Sequence, residues 1–437
     1  MVPSGAVNVT QVMGMAEALQ GADAQPVFIR SLANGASGRL ARMRPGVRLQ
    51  CHGLGIRGLM GSDTDAPTRS RDGFSCAYLA FQPIRNDRAH IVHILRMCDA
   101  LTTSGIDTQL LAYSNDGDTP SAAELRRRYG LNSVPQILWI PHDANRWVAR
   151  LRVMVESFRA GRRCAYAYTR AALPALCALL GGAHHVFLEF HMPVKARNER
   201  VAFSLARHSR RLHIVCISRR LADMIARQYR LEESALIVEH TGHSFPIRDD
   251  YHVDSGAGRR LRATYVGTFA PGRGLETIYD LAERHPNVDF IVVGGQAPPV
   301  QRAANVTVRP RVSHAEVPEL LSQADVLLMP YTRDAMLPGG HGGTAEYCSP
   351  LKMFEYLSAG RSIIASNLPS IAEVLVHESN CLLVDPDSLQ EWSAALERLE
   401  HDAGLRAHLA HGAAETAAEH TILGRVHRIL AREGASE

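Results

Sequence analysis

The stretch Ser349–Gly360 has the sequence SPLKMFEYLSAG, which contains the start and end signals of one short helix. Ser349 is a favourable N-cap, Pro350 suits the first helical position, and Gly360 suits the position after the last turn. These signals predict a helix over Pro350–Ala359. Because the first turn of a helix has free backbone N–H groups and a positive dipole end, this start favours a bound phosphate.

Two charged residues lie on this predicted helix. Lys352 is in the first turn, where a basic side chain does not stabilise a helix. Glu355 follows on the same face, about 4.5 Å further along the axis. Of the 48 Lys and Arg residues only Lys195 and Lys352 are lysines, which suggests a task that needs a compact point charge. The arrangement would suit a nucleoside diphosphate, with Glu355 accepting from the ribose. An ordinary amphipathic helix with a surface Lys and Glu explains the spacing equally well.

The composition is that of a globular protein. A length of 437 residues is sufficient for two domains, and 46% hydrophobic with 21% charged residues is typical of soluble proteins. The formal charge of +4 is too small to indicate a nucleic-acid partner. The eight cysteines form no CxxC pair, which favours reduced thiols in a cytoplasmic protein.

Membrane spans and export signals are not evident in the sequence. No apolar run approaches the roughly 18 residues of a membrane span, and the N-terminus lacks the residue order of a signal peptide. We therefore expect cytoplasmic localisation, with any membrane contact peripheral and at the inner face. The basic run Arg207–Arg220 could face anionic lipid or a phosphorylated acceptor, or it could be an ordinary solvated face.

Short apolar runs alternate with amphipathic segments from Cys76 onward, stop over the Asp- and Gly-rich residues 244–260, and then restart. Such alternation implies right-handed crossovers and parallel sheets covered by helices on both faces. The predicted fold class is therefore α/β, with two doubly wound Rossmann-like domains at 76–243 and 261–437 joined by a linker. A ligand cleft is expected between the carboxyl ends of their strands. The last helix of the second domain could return to the first.

The predicted strands of the first domain are Ala77–Phe81, Thr108–Tyr113, Ala165–Tyr168, His185–Phe190, His213–Ile217 and Leu236–Glu239. Those of the second domain are Ala263–Gly267, Val288–Val293, Val306–Val308, Val326–Met329, Ser362–Ala365 and Cys381–Val384. The predicted helices include Ile91–Thr103, Arg146–Ala160, Arg170–Leu180, Arg219–Tyr229, Leu275–Arg284, His314–Gln323 and Leu389–Leu399.

Residues 1–75 form an N-terminal extension outside this scheme. Val7–Leu19 aligns without gaps on Ala89–Leu101, with Met, Ala and Leu at matching positions. The extension could be a partial duplication of the first crossover. The general likeness of amphipathic helices explains the match almost as well.

The second half resembles the retaining family 4 of GT-B glycosyltransferases, also called glycosyltransferase group 1. Four motifs in order support the resemblance, which extends over roughly residues 76–430: Tyr265–Gly267 with Arg273-Gly274, Phe290–Gly295, Ala324–Pro330 and Ser349–Ser366. The resemblance implies a nucleotide-sugar site formed by Gly267, Thr268, Arg273, Gly294, Val312, Ser349, Pro350, Leu351, Lys352 and Glu355.

This sequence departs from the family at two charged positions. The family has two glutamates separated by seven residues, and Glu355 matches the second, which binds the ribose. The first falls on Tyr347, with Glu346 one residue away. The family also places an Arg and a Lys after the first strand of this domain to neutralise the diphosphate.

Here Thr268 takes the position of that Arg, and Arg273 takes the position of the Lys. Lys352 could supply the missing charge.

The resemblance also implies a donor-sugar loop and an acceptor side. The loop corresponds to Gly340, His341, Gly342, Gly343 and Thr344, whose glycines allow close backbone approach to a ligand. His191 ends an apolar strand at the place of the family histidine beside the transferred sugar. The acceptor side corresponds to Arg85, Asn86, Arg88, His90 and Lys195, with no GxGxxG that would support a dinucleotide cofactor.

The function implied is a metal-independent, retaining hexosyltransferase with His191, Lys352 and Arg273 as catalytic residues. Its donor would be a UDP- or GDP-linked sugar, with no other cofactor, and its acceptor a hydroxyl of a glycan, a lipid-linked molecule or a small molecule. Two alternatives remain open. One is a nucleotide-sugar 2-epimerase, and the other is a non-catalytic nucleotide-sugar-binding protein of GT-B descent.

Overall fold

The computed structural model describes residues 75–84, 88–114, 119–142, 145–193, 197–206, 208–249, 259–295, 303–334 and 344–431. The proposed duplication within residues 1–75 lies outside these ranges except for Ser75. So do Arg85, Asn86, Lys195 and the loop residues Gly340 to Gly343.

The first half forms one sheet of seven parallel strands in the order β3-β2-β1-β4-β5-β6-β7. The strands are β1 (Ser75–Pro83), β2 (Asp107–Ser114), β3 (Gln136–Pro141), β4 (Tyr166–Thr169), β5 (His185–Phe190), β6 (Leu212–Cys216) and β7 (Leu236–Val238). The prediction of six strands omitted β3. That strand lies at the edge of the described sheet, where it pairs with β2 and is half-exposed. Its sequence contains the apolar run Ile137–Ile140, which the prediction did not use.

The second half forms a sheet of six parallel strands in the order β10-β9-β8-β11-β12-β13. The strands are β8 (Leu261–Val266), β9 (Val288–Val293), β10 (Val306–Arg309), β11 (Val326–Met329), β12 (Ser362–Ser366) and β13 (Leu382–Val384). Nearly continuous apolar runs such as β11 are expected when helices cover both faces of a parallel sheet. The predicted fold class of two doubly wound α/β domains is confirmed.

Helices lie on both faces of each sheet. They are α1 (Ala89–Thr103), α2 (Ala122–Tyr129), α3 (Arg146–Arg163), α4 (Ala172–Gly181), α5 (Arg197–Ala206), α6 (Arg219–Tyr229), α7 (Leu275–Arg284), α8 (Val317–Ser322), α9 (Leu351–Ser358), α10 (Leu389–His401), α11 (Ala403–Glu419) and α12 (Ile422–Ala431). Helix α12 ends the described chain, and its Ile422, Val426 and Ile429 pack in the core of the first half with Ile91 and Leu95 of α1. Among the described helices, none is long and apolar enough to cross a lipid bilayer.

Two glycines, one after β8 and one after β9, allow very close contacts between backbone segments. Gly294 has φ +137°, and a Cβ there would lie 1.9 Å from the carbonyl oxygen of Gly267. Gly274 precedes α7 with φ +72°, and a Cβ there would lie 1.7 Å from the carbonyl oxygen of Pro330. The sequence therefore needs glycine here both for the dihedral angles and for the close contact.

The first prediction separates these two requirements. Gly274→Ala should lower the free energy of unfolding by well over 1–2 kcal/mol, because a left-handed alanine costs about that much before any clash is counted. Gly105→Ala is the matched control, since Gly105 has φ +82° with nothing within 4 Å of the added Cβ. Chemical denaturation of both variants provides the comparison. Equal losses would show that the contact with Pro330 is not tight.

Candidate functional site

The side chain of Lys352 is buried among aromatic rings at the start of α9. Its Nζ lies 3.6 Å from the centroid of the Tyr265 ring and 5.4 Å from that of Tyr331. Among the described residues it has no hydrogen-bond partner. Gly267 makes the position possible, because a Cβ there would lie 2.4 Å from Nζ. Cation–π contacts compensate only part of the hydration that a buried ammonium loses.

Arg273 is the second cation at this place. The carbon of its guanidinium lies 4.7 Å from the centroid of the Tyr331 ring, and its Nε is buried with no partner in the described part of the chain. Burial lowers the pKa of Lys352 well below its ordinary value, Arg273 lowers it further, and Glu355 opposes them. A buried amine and a half-buried guanidinium with one nearby carboxylate form a site that a diphosphate would complete.

Glu355 is held by His314, a residue outside the predicted site. His314 Nε2 lies 2.7 Å from Glu355 Oε1, and its Nδ1 lies 3.4 Å from the guanidinium of Arg96 in the first half. Burial would raise the pKa of the Glu355 carboxyl, but His314, Arg96 and Lys352 outweigh it and lower the pKa. Glu355 is therefore ionised and oriented, as a ribose acceptor would need to be.

The start of α9 differs from the prediction. The helix begins at Leu351 with Pro350 as its N-cap, and Ser349 is not the cap. The Ser349 hydroxyl instead accepts from the backbone N–H of Thr241 at 3.1 Å, while the Thr241 hydroxyl donates to the Ser349 carbonyl at 2.9 Å. A contact between the halves thus competes successfully with local capping, and the N-cap residue of α9 makes no side-chain capping hydrogen bond.

The residue at the place of the family's first glutamate lies in the seam between the halves. Tyr347 packs in the hydrophobic core of the first half, and its carbonyl accepts from the Ser218 hydroxyl at 2.8 Å. The neighbouring Glu346 is exposed. Leu351 also packs against the first half, whereas Val312 packs in the core of the second. Thr344 opens a short 3-10 helix, Thr344–Glu346.

His191 lies directly after β5 and is bound to the carboxylate of Glu189 through Nε2. Burial lowers the pKa of His191 to about 3, Arg170 adds to this, and Glu189 opposes it. The imidazole is therefore neutral at pH 7. Because its Nε2 faces an ionised carboxylate, the proton lies on Nε2 and Nδ1 is the acceptor atom.

Glu189 is the centre of a buried polar network. Its Oε2 accepts from Arg425 of α12 at 2.7 Å and from the Tyr168 hydroxyl, while His93 Nε2 lies 2.9 Å from Oε1. Burial would raise the pKa of Glu189, but Arg425, His93 and His191 lower it well below its ordinary value. The carboxylate is therefore ionised and paired with the guanidinium.

This network also has a possible metal-ligand set, because the nearest ligand atoms of His93, Glu189 and His191 lie within 4.8 Å of one another. Arg425 already balances the charge of Glu189. A divalent cation at the same place would leave two uncompensated positive charges in a buried site. The charge balance favours an ion pair with two neutral histidines over a metal centre.

The acceptor-side residues that the structure describes are Arg88 and His90. Arg88 is exposed and is the N-cap of α1, while His90 is half-buried. Burial lowers the pKa of His90 to about 4, with Arg170 and Arg88 adding to the effect. Arg170 was not among the predicted site residues. Its position directly after β4, between the strands that end at Pro83 and Phe190, could have indicated a role.

Comparisons with known proteins indicate the class to which the fold belongs. The family described as glycosyl transferases group 1 matches residues 262–402, which lie in the second half. The Bacillus subtilis (strain 168) protein TuaH, named as a teichuronic acid biosynthesis glycosyltransferase, is 26% identical over 117 residues. That match covers 25% of this chain and 28% of the length of TuaH.

Two solved structures show the fold over nearly all of the two domains. Anabaena HepE in complex with UDP and glucose has a TM-score of 0.60 at 15% identity, covering 83% of this chain and 100% of that chain. Sucrose-phosphate synthase from Thermosynechococcus elongatus has a TM-score of 0.58 at 14% identity, covering 84% and 100%. The two domains therefore have the GT-B fold.

The second prediction concerns the Glu189–Arg425 pair. Arg425→Met should lower the free energy of unfolding by about 3–5 kcal/mol, because it leaves a buried carboxylate without its partner. Arg428→Met is the control on the same helix, since Arg428 pairs with Glu239 at 3.0 Å but is 46% exposed. That variant should cost less than about 1 kcal/mol.

Urea denaturation also tests the pairing itself. Adding Glu189→Gln to Arg425→Met should restore part of the lost stability, because the unpaired charge is removed. If the double variant were less stable than Arg425→Met alone, Glu189 would stabilise the fold by other contacts.

Proposed function

We propose that this protein is a retaining, metal-independent glycosyltransferase that moves a hexose from a nucleotide-sugar to a hydroxyl acceptor. The observation that supports it most is the pair of basic side chains, with the Nζ of Lys352 and the Nε of the half-buried Arg273 both enclosed and without a partner among the described residues, near the start of α9. A leaving diphosphate gains negative charge in the transition state. Preoriented positive groups stabilise it there without reorganising, which is electrostatic catalysis.

The other site residues have matching roles in this proposal. Glu355, oriented by His314, accepts from ribose hydroxyls, and the neutral His191 presents Nδ1 to the transferred sugar. UDP is the first nucleotide to test, because HepE binds it. The resemblance suggests front-face attack, in which the leaving phosphate helps to remove the acceptor proton. We place the reaction in the cytoplasm, and the acceptor remains a glycan, a lipid-linked molecule or a small molecule.

A non-catalytic nucleotide-sugar-binding protein is the second candidate, and one observation favours it. Tyr347 replaces a carboxylate that the family uses at the donor sugar, and it lies in the core of the first half rather than in a site. Nucleotide-sugar binding with no transfer to any acceptor and no slow hydrolysis would favour this candidate. A 2-epimerase would instead convert the sugar without an acceptor.

The third prediction separates the roles of the two halves. Lys352→Met should weaken UDP or GDP binding at least tenfold, because a charge-assisted contact contributes about 1.5–3 kcal/mol. His191→Ala should reduce donor turnover strongly while nucleoside diphosphate binding changes less than twofold. Calorimetry and a donor-turnover assay measure the two effects, and turnover should survive excess EDTA. The opposite pattern, with His191→Ala abolishing nucleotide binding and Lys352→Met leaving it intact, would refute the assignment.

The fourth prediction follows from the low pKa of Lys352 in the ligand-free site. A bound diphosphate raises that pKa, so the complex holds more protons than the free protein between the two pKa values. Nucleotide affinity should therefore fall as pH rises through this window, and binding should take up a proton. Titration calorimetry in two buffers of different ionisation enthalpy measures the uptake. Lys352→Met should abolish it, and uptake that persisted in this variant would assign the proton to another group.

A further inference from the structure

Helix α3 (Arg146–Arg163) is packed into the first half along one narrow face only. Of its 18 residues, the buried ones are Ser157, Ala160 and Gly161. Gly161 allows close packing on α4, because a Cβ there would lie 2.1 Å from the carbonyl oxygen of Ala178. Among the larger apolar side chains of α3, Val153 is the one that packs against a core cluster of the described residues.

A second apolar stripe lies on the other side of this helix. Trp147, Leu151, Val155 and Phe158 follow one another at intervals of four, four and three residues, the spacing of a single helix face. At 100° per residue, Leu151 and Val155 are turned roughly 120–160° away from Ser157. Trp147 is 52% exposed and Leu151 48%, while Val155 and Phe158 are half-buried. An amphipathic helix normally buries such a stripe.

The charges beside the stripe are almost all positive. Helix α3 has six arginines and one acidic residue, Glu156, which pairs with Arg159 at 2.8 Å. The guanidinium of Arg146 lies 5.9 Å from the Trp147 ring. An apolar face with an indole at one end and arginines along its borders matches a layer that is apolar below and anionic at its surface.

We propose that the outer face of α3, defined by Trp147, Leu151, Val155 and Phe158 with the neighbouring arginines, binds the surface of an anionic lipid membrane. The apolar side chains enter the boundary between headgroups and acyl chains, and the arginines contact lipid phosphates. This inference does not rest on the proposed sugar transfer, because it concerns a surface outside the donor site.

Charge complementarity favours lipid over the other possible occupants. A second copy would bring the same arginine-rich face, so that like charges would meet. The chain's own residues 1–74 contain eight arginines and five acidic residues, so they carry positive charge as well. An anionic lipid surface lacks this conflict.

The basic run Arg207–Arg220 is a weaker place for the same contact. Arg211 donates to the carbonyl oxygen of Ala183 at 3.0 Å, and the backbone N–H groups of Arg219 and Arg220 donate to Glu373. Helix α3 also begins just after the carboxyl end of β3, on the edge of the sheet where β5 ends at Phe190 before His191. Lipid bound by α3 would therefore lie on the acceptor side of the first domain.

The fifth prediction tests this surface with the full-length protein and vesicles. Binding to phosphatidylcholine vesicles that contain about 30 mol% phosphatidylglycerol should be at least tenfold tighter than to pure phosphatidylcholine, and it should weaken with salt. Trp147 emission should shift to the blue on binding, and Trp147→Phe should lose most of that shift. Equal binding to both vesicle types, or no binding, would overturn the proposal.

Matched variants assign the binding to α3. Leu151→Ser with Trp147→Ser should weaken vesicle binding at least tenfold, whereas Val376→Ser, at a 55% exposed residue of the second half, should not change it. Arg150→Gln with Arg162→Gln should weaken it similarly, and Arg126→Gln with Arg127→Gln on α2 is the charge control. These surface changes should leave thermal unfolding unaltered. Binding that survived both α3 variants would refute this surface, as would a dimer in light scattering that they dissociate.

Discussion

The buried ion pair between Glu189 and Arg425 is the interaction on which the arrangement of this molecule most depends. Both side chains are fully buried, and they join a strand of the first half to α12, the last described helix, 236 residues later. A buried pair stabilises a fold less than its Coulomb energy suggests, but it penalises every arrangement in which one partner is left alone. Helix α12 is therefore specified to lie against α1. The same carboxylate fixes the tautomer of His191, which burial keeps neutral. One buried side chain thus sets both the position of α12 and the orientation of the imidazole at the end of β5.

Three further contacts join the halves, two at the residues that precede α9 and one at Glu373, which follows it. The Tyr347 carbonyl, the Ser349 hydroxyl and the Glu373 carboxylate of the second half bind Ser218, Thr241 and the start of α6 in the first. Glu373 accepts from two N–H groups of the first turn of α6, which is the favourable place for a carboxylate. The family's first glutamate position thus has a structural task in this chain. A tyrosine at this position is therefore explained by its packing in the core of the first half.

Much of the fold could be predicted because its signals are local. Val288–Val293 and His185–Phe190 are runs whose apolar character marks a covered strand, and both have the predicted bounds. The partners of the site residues could not be predicted in this way. His314 and Glu355 are 41 residues apart, and Arg96 reaches His314 from the other half. No spacing rule links such positions, since only the packed fold brings them together. At Ser349 a local signal was present but gave the wrong result, because a tertiary contact with Thr241 overrides the tendency of Ser349 to cap the helix.

There is a physical reason for a lysine, rather than an arginine, at position 352. The ammonium lies against the Tyr265 ring and over a glycine that has no room for even a Cβ. A guanidinium is broader and planar, so it would collide with the Gly267 backbone or lose its stacking on the ring. An arginine is also always charged, whereas a lysine at a dry site can lose its proton. In the ligand-free protein a neutral Lys352 avoids the free-energy cost of burying a charge. The amine can then take up a proton when an anion binds. Lys352, the one lysine of the second half, can thus gain a proton when the ligand binds and lose it when the ligand dissociates.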